Sequence, residues 1–230
     1  MKKSASISIP SESDIPLKDG RIDLWGLLVA AFLIIAVSSY CAPWVHGSGA
    51  STSLTGYDLA EWTSLVPGVR YGERPMVLPG LLRAHLLFLA ALVALAPTRR
   101  GSVYWWAAGA AALILSAAQL PPFEYFLERS WQVDVNYGQQ VTLALLTVVD
   151  AAVCWILPRG GGRRIAVLLF VTLGLIAAYS GTAQALQMVA SFSVPATIGI
   201  GVVGYCAALT GLGVVVLSSS RRSMSKARSA

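Results

Sequence analysis

Three ionisable side chains, Arg83, His85 and Asp150, fall inside long apolar stretches of this chain. A charged group at that depth in a membrane costs several kcal/mol unless it is paired or hydrated, so each is a candidate for function. Arg83 and Asp150 admit three readings. They form an intramembrane ion pair that pins two helices together. Or they line a hydrated site, in which Asp150 accepts a proton or cation and Arg83 partners it or binds an anion. Or Arg83 snorkels to the outer interface and the two never meet. On the segment boundaries given below, Asp150 lies near the midplane and Arg83 roughly 5–7 Å nearer the outer surface, within reach of an arginine side chain.

His85 offers imidazole chemistry, since a neutral ring nitrogen can ligate haem iron or chlorophyll magnesium. It lies two residues from Arg83, so on a helix the two side chains leave on nearly opposite faces and do not share a site. The other histidine, His46, falls beyond the first apolar stretch, which does not set up paired imidazole ligation. The spacing favours a histidine satisfied at a helix–helix contact, and no cofactor or metal is predicted. The Ser, Asp and His residues form no catalytic motif. Gly160, Gly161 and Gly162 beside Arg163 and Arg164 lack the strand–loop–helix setting of a phosphate loop and read as a turn that attracts anionic headgroups.

Six apolar segments must position these residues, at about 24–44, 78–95, 103–120, 141–157, 165–183 and 196–217. The 230 residues are 56% hydrophobic and 12% charged, about half the charged share of a soluble domain. Each segment is close to the roughly 20 residues needed to cross a bilayer. The predicted fold class is all-α, a polytopic transmembrane helix bundle of six spans arranged as three hairpins. Residues 1–23 read as a flexible cytoplasmic tail and 218–230 as a basic one. Trp25 and Trp44 bracket the first span at its interfaces.

Most of the 17 basic residues fall on one side of this map. Lys2, Lys3, Lys18 and Arg21 lie in the first tail, and Arg99 and Arg100 follow segment two. Arg159, Arg163 and Arg164 follow segment four, and Arg221, Arg222, Lys226 and Arg228 lie in the last tail. Arg70, Arg74 and Arg129 are left on the other side. The positive-inside rule therefore places both termini in the cytoplasm. Short basic clusters between apolar blocks serve orientation and do not build a groove for a polyanion, which excludes nucleic acid as a partner.

In the first outer connection, Thr55 and Asp58 have the spacing of a capping box, followed by Leu59, Trp62 and Leu65 at helical intervals. A short helix lying on the membrane surface is predicted there. Phe123, Leu127 and Trp131 predict a second. The carboxylates Asp58, Glu61, Glu73, Glu124, Glu128 and Asp134 read as solvated loop charges. Pairs of small residues four apart (Ala107/Ala111, Gly174/Ala178, Ala177/Gly181, Gly204/Ala208, Ala207/Gly211) predict close helix packing, within this chain or with a partner. Cys41, Cys154 and Cys206 lie at different depths and predict no disulfide.

The sequence PWV at 43–45, a Gly/Ser-rich loop and TGYDL at 55–59 together resemble small bacterial multi-span membrane proteins of unknown function. That resemblance implies a bacterial inner membrane. The expectations for function are a non-enzymatic accessory or structural subunit of a membrane complex, meeting a protein partner or a second copy. The alternatives are a small transporter or channel subunit using Arg83 and Asp150, and a haem- or chlorophyll-type carrier using His85.

Overall fold

The computed structural model describes residues 24–47, 53–71, 75–96, 99–128, 133–157, 160–193 and 195–228, with side chains omitted at Trp25 and 220–228. The readings for the first tail, the Trp25 ring, the C-terminal basic side chains, Glu73, Arg74, Arg129, Trp131 and Arg159 lie outside the described residues.

The chain is mostly helical. Helix α1 (Leu24–Tyr40) leads into strand β1 (Pro43–Gly47), then β2 (Ser53–Thr55) and the short helices α2 (Gly56–Ser64) and α3 (Pro67–Arg70). Helices α4 (Val77–Leu95) and α5 (Val103–Ala117) follow, then a single turn, α6 (Glu124–Leu127). The remainder is α7 (Val135–Ile156), α8 (Gly161–Ser191), β3 (Ala196–Ile198) and α9 (Ile200–Arg228). Four helices are long and apolar enough to cross a membrane: α4, α7, α8 and the Ile200–Ser219 part of α9. The chain is an integral membrane protein. Helices α1 and α5 are equally apolar but shorter, at 17 and 15 residues.

Helix α4 is the hub. Of its most apolar stretch 61% is buried inside the molecule, against 28–39% for the other three long helices. A helix apolar on every side belongs in such a position. Leu78, Leu82, Leu86, Leu89 and Leu92 face α1, α8 and α9, while Ala90, Ala91, Ala94 and Leu95 pack with Ala112 of α5 and Ala151 and Cys154 of α7. The most extensive packing crosses the predicted hairpins: α1 lies along α9, and α4 along both α7 and α8. The small-residue faces of α8 and α9 serve these contacts, with Ala177, Ala178 and Ala208 buried and Gly174 against Leu209 and Tyr205.

Several segment boundaries are corrected. The first helix stops at Tyr40, because Pro43 cannot continue it and opens a strand. Trp44 is therefore no interface anchor. It sits in β1, fully buried. A bulge between Pro43 and Val45 lets the consecutive Trp44 and Val45 both turn inward. Strands β2, β1 and β3 form an antiparallel sheet in that order, pairing the chain that leaves α1 with the chain that enters α9. The segment expected as helix from 196 thus begins as a strand. Gly199 and Gly201 are required there, since a Cβ on either would strike the backbone of Pro43 or Ala42. Helix α8 runs on to Ser191, and its 31 residues extend about 46 Å.

The sheet, α2 and α3 close one end of the bundle, hereafter the cap end. At the other end, Arg100 donates to the Ile156 carbonyl that finishes α7, and Arg163 donates to the Leu95 carbonyl that finishes α4. Two basic residues thus satisfy helix C-termini.

Candidate functional site

The capping box at Thr55 and Asp58 is complete: Thr55 Oγ1 accepts from the Asp58 amide at 3.1 Å, and Asp58 Oδ2 accepts from the Thr55 amide at 3.2 Å. The helix it starts does not float on the surface. Leu59, Ala60, Thr63 and Ser64 are buried, and α2 docks on α4. This presents Glu61 to Arg83. Glu61 Oε1 accepts from Arg83 Nη2 at 2.7 Å.

Helix α7 supplies the rest of the cluster. It begins six residues earlier than its apolar stretch, capped by Asp134, whose Oδ1 accepts from the Asn136 amide. Asn136, Gln139 and Gln140 therefore stand on its first turns facing the bundle. Arg83 Nη2 also donates to Asn136 Oδ1 at 2.7 Å, and Nη1 to Gln139 Oε1 at 2.9 Å. Gln140 Nε2 donates to Glu61 Oε1, and Gln139 Nε2 to the Met76 carbonyl, each at 2.7 Å. Beside this cluster, Arg70 of α3 pairs with Asp134 Oδ2 at 2.8 Å. Arg83 is 1% exposed and Glu61 about a third. Burial and the Glu61 carboxylate together push the neighbouring Tyr57 hydroxyl above its ordinary pKa.

The expected Arg83–Asp150 pair does not form, and Arg83 does not snorkel. Arg83 lies about 9 Å along α4 from the cap end and Asp150 about 22 Å along α7, too far apart to meet. Asp150 is partly buried, and among the described residues its Oδ2 has no hydrogen-bond partner. Glu61, read as a solvated charge, is the true counter-ion. Its signal was present: the capping box sequesters Asp58, leaving Glu61 as the one acid of α2 available to an arginine near the same membrane face. The amides of NYGQQ (136–140) were the second signal, with the spacing of one helix face.

His85 leaves α4 on the opposite side. Its Nδ1 donates to the Leu82 carbonyl at 2.9 Å, and Tyr40 Oη donates to the same oxygen at 3.3 Å. Four rings enclose the imidazole: Trp44, Tyr205, Tyr40 and Phe88, with centroids 4.9–6.5 Å away. The residue is fully buried, and a porphyrin-sized macrocycle does not fit against a ring so enclosed. His46 is exposed in β1, away from the core. The cofactor reading of His85 is therefore corrected to a packed core histidine.

Towards the other end, Trp105 and Trp155 stack at 3.7 Å and Trp155 Nε1 donates to the Trp105 carbonyl, joining α5 to α7. Just past the end of α5, Gln119 Nε2 donates to Thr147 Oγ1 of α7 at 2.6 Å. Among the described residues, no group of three His, Cys, Asp or Glu is placed to hold a metal ion.

No protein-family model, curated protein or solved structure matches the chain.

Proposed function

We propose that this membrane protein is a non-catalytic accessory subunit of a bacterial inner-membrane complex, with six crossings and both termini in the cytoplasm. The observation that carries the reading is the engagement of Arg83: its two terminal nitrogens are held by Glu61, Asn136 and Gln139, all from this chain. A cation so occupied fastens α2 and α7 to α4 and presents no charge to a substrate. The cap end also exposes large apolar side chains, Tyr71, Phe123, Leu127 and Val133, each more than 70% accessible. Apolar groups exposed this far suit burial against another protein. Affinity purification from native membranes in mild detergent tests the proposal. It predicts one co-purifying protein in fixed ratio, released by Phe123→Glu with Leu127→Glu. Recovery of the chain alone, moving ions when reconstituted, would contradict it.

A small transporter is the second reading, and one observation favours it. Gln140 Oε1 and Asp150 Oδ2 on α7 and Gln119 Oε1 just beyond α5 are buried acceptors with no hydrogen-bond partner among the described residues. Bare oxygens at membrane depth suit a proton or cation. Flux in proteoliposomes that Asp150→Asn abolishes would select this reading, and no flux with either form would discard it.

A further inference from the structure

Helix α4 is the most buried of the four long helices. Helices α1 and α5 flank it without packing closely on each other, and a groove of about 910 Å³ lies between them. That volume is at the upper end of the roughly 300–1,000 Å³ of small-molecule sites. The groove is walled by Leu33 and Val37 of α1 and by Ala107, Ala108 and Ala111 of α5, so the small face of α5 lines an opening. Its polar residues gather at the end away from the cap, where Arg99 and Ser102 form the mouth; Ser38 alone is polar at the far end. Arg100 and Arg163 nearby are committed to the carbonyls of Ile156 and Leu95, while Arg99 is exposed.

The geometry points to a binding site for one phospholipid with an anionic headgroup, its acyl chain in the groove and its phosphate at Arg99. Charge decides the occupant. The groove extends from Gly26 to Ser38 on α1 and from Tyr104 to Leu115 on α5, about 16–18 Å at the helical rise. One leaflet of a bilayer core, the reach of an acyl chain, is about 15 Å deep. A transmembrane helix from a partner or a second copy would cover the apolar wall but bring no anion to Arg99 at the mouth. A free phosphate would gain nothing from an apolar wall. Basic residues beside an interhelical groove at the cytoplasmic face fit anionic headgroups. The inference rests on reading these helices as spans, but headgroup preference can be measured in detergent whichever way the protein is oriented.

Delipidated protein in mild detergent would be titrated with dioleoyl phosphatidylglycerol and dioleoyl phosphatidylcholine, and bound lipids counted by native mass spectrometry. The expected result is one tightly bound phosphatidylglycerol, preferred over phosphatidylcholine by about fivefold, the scale of a single surface arginine. Arg99→Gln, a change at an exposed residue, should remove the preference while leaving a lipid bound. Ala111→Phe or the more exposed Ala107→Leu should displace both lipids. Equal binding of the two lipids by the unaltered chain would overturn the proposal. So would full occupancy in the groove-filling variants, or a dimer that those variants dissociate.

Discussion

Glu61 Oε1 stands 2.7 Å from Arg83 Nη2, and this contact joins a helix outside the apolar bundle to the helix at its centre. The two partners are unequally buried, their side chains being 32% and 2% exposed respectively. Removing Glu61 strands a cation that water cannot reach. Removing Arg83 leaves a carboxylate that can rehydrate.

That asymmetry yields the first prediction. Glu61→Leu should destabilise the protein by about 3–5 kcal/mol, the range for an orphaned buried charge, and Arg83→Leu by less. The double variant should be more stable than Glu61→Leu alone. Thermal unfolding in detergent gives the order, and a larger loss for Arg83→Leu would refute the account of the pair.

The capping box gives the second. Thr55→Ala removes the acceptor for the Asp58 amide and should cost about 1 kcal/mol. Because α2 carries Glu61, hydrogen exchange should quicken in α2 and in the first turns of α4 and α7 together. Faster exchange confined to 55–58 would mean that α2 is not what holds the cluster.

Third, the contact between α1 and α9 depends on glycine at 211. A Cβ there would lie 2.4 Å from Phe32 Cε1, whereas one at Gly213 would meet only Val171 at 3.5 Å. Gly211→Ala should cost about 1–3 kcal/mol through overpacking. Gly213→Ala should be neutral, or stabilising by up to about 1 kcal/mol through helix propensity. Equal melting temperatures for the two variants would contradict the packing of these helices.

Helix-forming stretches were legible in the sequence because a bilayer demands long apolar runs, and all six appear as helices. The α2 capping box was legible because it is local, with residues three apart that bond each other. Strands β1 and β3 were not, since their pairing joins Val45 to Ile198, a contact that no local pattern encodes. The counter-ion of Arg83 was missed for a related reason. Apolar content alone placed the start of the fourth segment at 141, which left Asn136, Gln139 and Gln140 outside the helix that Asp134 caps. With those amides assigned to a loop, Asp150 is the one acid inside the six segments that Arg83 can be paired with. His85 was legible as a core residue, but three of its four surrounding rings, Tyr40, Trp44 and Tyr205, come from distant parts of the chain.

The proposed topology requires helices that cross the bilayer with their arginine turns inside the cell. Cysteine would be introduced singly at Tyr71, which is 80% exposed at the cap end, and at Gly161, which has open space around it. The background would be a chain whose native cysteines are replaced by alanine. Intact bacterial cells would then be treated with a membrane-impermeant maleimide. The prediction is rapid labelling at 71, and labelling at 161 only after the membrane is opened. Labelling at 161 in intact cells would contradict it.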